Sequence, residues 1–395
     1  MKTRQILILS LLIVFASCKK EEPYHYSEYE LIEATKTSLT VKGRFGFQKL
    51  TIISELGLCW SEESNPTVSG NHYSITDCWE SSSYGLTHTM EGLKPGTEYH
   101  IRIYAVIDSD CLYGDDSCFK TLTNGLFSVG PNQWVNFSKG NLQYQASTNT
   151  WRFAEHQWDF IGYSEPDQYG FVYGTVEGSS NHLVGPDYDG WIDLFGWGTS
   201  GHDHGAVCYQ PWSTSVNDAD YYAYGNAGDN LYEWDGQADW GTNPIVNGGN
   251  RPNSWRTLSI DEWRYLLRSR ATASGVRYAI AYMNGLLGIV IPPDDWDNTI
   301  FPLNPVPLEI NAISPENWQL LEENGVVFLP PTGYRSGCSV AGGEGYGGYW
   351  STSKINLIPI SETGAAWNIR TSDALLYFDE TGRHFGLSVR LVQDY

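Results

Sequence analysis

The texture of the last two thirds of the chain most restricts what it can fold into. From Leu126 onward Trp, Tyr, Gly, Asn and Asp dominate and long apolar runs are few. Such a stretch builds its core from aromatic rings and joins short elements by long loops. With 41% hydrophobic and only 18% charged residues the chain can fill real cores, which argues against general disorder. Its 395 residues suggest two or three domains. Lys and Arg number 24 against 46 Asp and Glu, a formal charge of -22. Phosphate contacts need clustered cations, so nucleic acid and anionic lipid are poor partners, and neutral or cationic ligands are expected.

At the N-terminus, Lys2 and Arg4 precede an apolar run from Ile6 to Ala16. The run is too short to span a bilayer and has the length of a signal-peptide core. Phe15-Ala16-Ser17-Cys18 resembles a bacterial lipobox, with Phe15 where Leu is usual. The resemblance implies a lipoprotein signal peptide over residues 1–17, lipidation of Cys18 and a tether over residues 18–23. At about 0.8 kcal/mol per buried CH₂, two or more acyl chains hold a protein stably on a membrane. Lys19-Lys20-Glu21-Glu22-Pro23 resembles the surface-export signal of Bacteroidetes lipoproteins, and reads equally as a solvated charged tether. The expected location is the outer membrane, anchored through Cys18 and facing the cell surface. No later stretch reaches 18 apolar residues.

Residues 24–122 alternate with period two, as in Leu39-Thr40-Val41-Lys42-Gly43-Arg44-Phe45 and Tyr99-His100-Ile101-Arg102-Ile103. Turn signals at Ser64-Asn65-Pro66 and Lys94-Pro95-Gly96-Thr97 separate such strands, and the spacing predicts an all-β sandwich. Leu93-Lys94-Pro95-Gly96-Thr97-Glu98-Tyr99 resembles the tyrosine corner of fibronectin type III domains, and Gly57-Leu58-Cys59-Trp60-Ser61 resembles their third strand. Fold does not imply function, but no convergent polar cluster appears in this segment, so a spacer without chemistry of its own is expected. Six cysteines follow Cys18. Cys111 and Cys118 flank an expected hairpin tip and are the first candidate disulfide, with Cys59 and Cys78 next. Cys59 can equally pack as a reduced hydrophobe, and Cys208 and Cys338 can pair only if the fold joins them.

The second domain, residues 126–395, carries strand patterns at Trp134–Phe137, Leu142–Tyr144 and Trp151–Phe153, with a turn at Ser147–Thr150. Ser259-Ile260-Asp261-Glu262 reads as a capping box, and Ser314-Pro315 as a cap followed by an N1 proline, with Gly325 as the stop. Strand patterns return towards the C-terminus, so the expected class is α+β with long loops. Trp255-Arg256-Thr257-Leu258-Ser259 with Asp261-Glu262-Trp263, then Leu329-Pro330-Pro331-Thr332-Gly333-Tyr334-Arg335, Gly348-Tyr349-Trp350-Ser351-Thr352-Ser353 and Phe385-Gly386-Leu387-Ser388-Val389-Arg390-Leu391-Val392, together resemble the Fibrobacter succinogenes major paralogous domain, with a core of about residues 250–395. That family is similar to the C-type lectin-like fold and, more distantly, to formylglycine-generating enzymes. The resemblance implies a loop-decorated binding scaffold.

The reactive cysteine pair of formylglycine-generating enzymes has no counterpart, since Cys338 stands alone in that region. Gly-x-Ser-x-Gly and His-Glu-x-x-His are absent too. Binding rather than catalysis is therefore expected. Flat rings beside hydrogen-bonding side chains suit sugars, and the candidates are Trp212, Tyr221, Tyr222, Tyr224, Trp234 and Trp240, with packing in the core as the alternative for each. Asp187, Asp189 and Asp193 form an oxygen-rich loop that could hold calcium, as could Asp294, Asp295 and Asp297, unless these acids cap turns. His202 and His204 could face a transition metal or lie in a solvated loop. The expected role is a lipid-anchored envelope protein that binds a glycan or an extracellular protein. The alternatives are a structural surface-layer or fimbria-associated component and a carbohydrate-active hydrolase, whose carboxylate pair would be set only by the fold.

Overall fold

Side chains that alternate along a strand bury one face and wet the other, and this rule organises residues 25–121. The structure, a computed structural model, describes residues 25–34, 38–76, 80–94, 96–121, 125–163, 173–221, 230–233, 237–305, 310–342, 346–354, 365–372 and 375–395. It divides into two compact units, Met1–Leu122 and Thr123–Tyr395.

The first unit holds β1 (His25–Ala34), β2 (Ser38–Thr51), β3 (Glu55–Ser61), β4 (Asn71–Ile75), β5 (Ser81–Glu91), β6 (Glu98–Ile107), β7 (Asp110–Tyr113) and β8 (Ser117–Lys120). One antiparallel sheet runs β1-β2-β5 and the other β4-β3-β6-β7, with β8 also on β6. Leu39, Val41 and Phe45 of β2 and Ile101, Ile103 and Ala105 of β6 are buried. The sheets meet closely at Gly43, where an added Cβ would lie 3.0 Å from Ile103 and 3.1 Å from Leu58. On the exposed face, Glu30 and Glu28 of β1 pair across the strands with Lys42 at 3.1 Å and Arg44 at 3.4 Å.

Here the register corrects the expected Cys111–Cys118 bridge. Both β7 and β8 pair with β6, Cys111 opposite Val106 and Cys118 opposite His100, so the two cysteines lie along one interrupted strand and are free. The hairpin tip is instead Asp108 and Ser109, whose φ of 47° and 78° give the left-handed turn that suits the strand twist. Cys59 is a free, buried thiol whose pKa burial pushes up to about 11. Cys78 and Cys18 lie outside the described residues.

The second unit is also mostly strand, and the whole chain is a mostly antiparallel β protein of more than one domain. β9 (Phe127–Gly130) and β10 (Gln133–Phe137) join β14 (Arg256–Thr257) and the C-terminal strand Leu391–Asp394. The hairpin β11 (Leu142–Gln145) and β12 (Thr150–Phe153) carries β13 (Trp191–Ile192) on its edge. β15 (Ala279–Met283), β16 (Leu286–Ile291), β17 (Asn311–Ile313) and β18 (Val327–Leu329) form a sheet of order β17-β15-β16-β18.

The helices are short, which shifts the balance of this unit away from α+β. α1 (Ile260–Arg264) starts with the expected capping box on Ser259 and Glu262 and runs on as a π-helical turn over Tyr265–Ser269. α2 (Pro315–Glu323) is capped by Ser314 and followed by Gly325 at φ 83°. No helix among the described residues is long and apolar enough to cross a membrane.

Candidate functional site

The motif residues of the second unit turn inward. Arg256 grips Asp394 and Glu262 at 2.7 Å each, tying β14, the last strand and α1 together. Thr257 donates through its backbone N–H and its hydroxyl to buried Asp239, at 2.8 and 2.6 Å. Arg335 is 1% exposed and donates to the carbonyls of Leu194, Ser213 and Gly337. Arg390 is fully buried and donates to Asn141 and Gln157. Desolvation holds its guanidinium at a pKa of about 10. The indoles of Trp197 and Trp350 donate to the carbonyls of Ser351 and Phe195 at 2.9 and 2.7 Å. These side chains satisfy carbonyls and cross-links that loops cannot provide for themselves, so they hold the fold.

Three of the expected ligand-binding aromatics follow the same pattern. Tyr221 and Trp240 are fully buried. Tyr221 lies against Gly196 and donates to the carbonyl of Ser215 at 2.8 Å. Trp240 packs in the cluster around Trp151, Phe195 and Trp197. Trp212 is half-buried and stacks on Tyr144 at 6.0 Å. Tyr221 and Trp240 are core and Trp212 packs partly against it, because an aromatic ring is among the most favourable groups to bury in a chain poor in aliphatic runs. Tyr222, Tyr224 and Trp234 lie outside the described residues.

The calcium loop is corrected as well. Asp187 and Asp189 are exposed, whereas Asp193 is fully buried and accepts from Asn181 Nδ2 and the N–H of Ile161, both at 2.9 Å. Burial pushes its carboxyl up to about 6. Among the described residues no group of three or more His, Cys, Asp or Glu side chains is arranged to hold a metal ion. Asp294 instead pairs with Arg270 at 2.6 Å, and Asp297 caps Thr299. His204 is buried with Nε2 on the carbonyl of Gly198, while His202 is exposed, so the two imidazoles do not share a face.

A different set of side chains does converge. A cleft of about 390 Å³ is lined by Gln143, Arg152, Glu155, His156, Trp158, Asp159, Thr175, Val176, Glu177 and Asn284. Gln143 on β11 and Arg152 on β12 are direct cross-strand partners, and Arg152 Nε donates to Gln143 Oε1 at 2.8 Å. That bond fixes the amide, so Nε2 is the remaining donor, and it is buried with no partner among the described residues. The Arg152 guanidinium lies 3.7 Å from the centroid of the Trp191 ring, which immobilises its plane. Burial lowers its pKa, opposed by the charges of Glu155 and Asp159.

Opposite in chemistry are the acids. Asp159 is occupied, accepting from the N–H of His156 and from Thr175 Oγ1, and sitting 3.0 Å from His156 Nδ1. Glu155 and Glu177 are exposed on the cleft rim. The His156 ring lies on Trp158 at 4.6 Å and 11°, and Trp158 packs in turn on the core, so the stack offers the exposed imidazole as its outer face. The arrangement sets fixed donors, fixed acceptors and a flat ring around a space large enough for a sugar ring or two.

No family model and no curated protein matches the chain. Among solved structures, the sensor domain of the anti-sigma factor RsgI4 in Pseudobacteroides cellulosolvens matches 26% of this chain and 95% of its own, with 21% identity and a TM-score of 0.18.

Proposed function

We propose that the chain is a lipid-anchored envelope protein whose C-terminal unit binds a glycan in the cleft between Gln143, Arg152, His156 and Glu177. The observation that carries this is the buried Gln143 Nε2. It has no partner among the described residues and its orientation is locked by Arg152. A buried unpaired donor costs about 1–3 kcal/mol, and a ligand hydroxyl or carbonyl accepting from it would recover that energy.

The first unit supports a fibronectin type III-like spacer. It has a three-stranded and a five-stranded antiparallel sheet, and the N–H of Lys94 donates to the Tyr99 hydroxyl at 3.0 Å, the bond of a tyrosine corner. The second unit is read as a C-type lectin-like scaffold on its capped helices, its short sheets and the inward-turned motif arginines. The anchor at Cys18 and the surface location rest on the sequence.

The test is a glycan array on the chain from Lys19 onward, run with calcium and with a chelator. Binding that survives the chelator is expected, because Asp187, Asp189 and Asp193 do not converge. No bound sugar under either condition would overturn the glycan reading. A hydrolytic activity abolished by Glu155→Gln or Glu177→Gln would replace binding with catalysis.

A further inference from the structure

The cleft carries fixed donors and acids together. Its donors are Gln143 Nε2, unpaired and in a residue with 0% exposure, and an Arg152 guanidinium whose only hydrogen bond among the described residues is through Nε. The lining also holds three carboxylates, of which Asp159 is held by His156 and Thr175, and the charges of Glu155 and Asp159 reach Arg152. Glu155 and Glu177 make no hydrogen bond or ion pair among the described residues. Three acids against one guanidinium leave the cleft negative. A neutral sugar would satisfy the donors and leave two carboxylates with water, and a uronic acid would meet like charge. An ammonium group on the sugar ring would meet the acids directly while the ring hydroxyls and the glycosidic oxygen accept from Gln143 and Arg152.

Resting on the glycan reading above, we infer that the cleft selects sugars bearing a free amine, hexosamine units, over neutral or N-acylated ones. The acids alone would not carry this, since exposed carboxylates are ordinary. The buried amide donor beside them marks the place as one prepared for a ligand.

The experiment titrates the mature protein calorimetrically with three β-1,4-linked tetrasaccharides: glucosamine, N-acetylglucosamine and glucose. The glucosamine oligomer is expected to bind about tenfold or more tighter than either neutral one, the difference shrinking with added salt. In the double variant E155Q/E177Q the glucosamine oligomer should lose its advantage, so that the three affinities come together. Equal affinity for all three in the wild type would overturn the amine preference and leave the glycan reading standing. No binding of any of the three, together with a blank glycan array, would overturn both. A preference that persists unchanged in E155Q/E177Q, in a variant whose circular dichroism matches the wild type, would contradict the assignment to these carboxylates.

Discussion

The two units solve the same problem, how to bury backbone, in opposite ways. In the sandwich the strands satisfy one another, so its charges sit outside in the Glu28–Arg44 and Glu30–Lys42 ladder. In the C-terminal unit much of the chain is loop, and the donors come from side chains. Arg270, Arg335, Arg383 and Arg390 are all at most 1% exposed, alongside Asp193 and Asp239 in the interior. Charge is therefore decoration in one unit and framework in the other. The consequence for function is that the residues with the most distinctive sequence signature in the second unit are the ones least free to bind anything.

Substitutions can break this contrast. Arg335→Met leaves the carbonyls of Leu194, Ser213 and Gly337 without their donor. At about 1–3 kcal/mol for each orphaned group, the C-terminal unit should lose roughly 3–9 kcal/mol in denaturant unfolding while the sandwich transition stays put. Asp193 sharpens the contrast through pH. Its folded carboxyl titrates at about 6, above the ordinary 3.8, so its contribution to stability is full at acid pH and is lost as pH rises through 6. Relative to Asp193→Asn, the wild type should weaken by on the order of 2–3 kcal/mol between pH 4 and pH 7. A pH dependence that does not change in the variant would contradict a buried ionising group there.

In the sandwich the expected effects are smaller. Tyr99→Phe removes the acceptor of the Lys94 N–H and should cost about 1–1.5 kcal/mol, read on the sandwich transition alone. Lys42→Ala, on the exposed ladder, should change stability by less than about 1 kcal/mol, with the effect screened by salt. A ladder variant as damaging as Arg335→Met would erase the distinction between the units.

Legibility in the sequence follows the same division. Alternation around Leu39–Phe45 and Tyr99–Ala105 and the Lys94–Tyr99 corner could be read locally, because a strand's pattern is written within a few residues. The same holds for the caps at Ser259 and Ser314. The cysteine pair failed because a strand interruption between Tyr113 and Ser117 looks like a turn in sequence and only pairing with β6 reveals it. Tyr221 and Trp240 proved buried, because burial and exposure are equally compatible with Trp or Tyr among Gly, Asn and Asp. Half of the cleft was within reach: a hairpin through Ser147–Thr150 places Gln143 opposite Arg152. The other half was not, since Glu177 and Asn284 arrive from loops that only the tertiary fold brings to that hairpin.

On the proposed reading this cleft, and not the aromatic region around Trp212 and Trp240, holds the ligand. A co-crystal structure of the mature chain with the tightest-binding sugar tests it most directly. A sugar ring over His156 with an oxygen within hydrogen-bond distance of Gln143 Nε2 is expected. A sugar seated elsewhere, with Gln143 still unpaired, would contradict it.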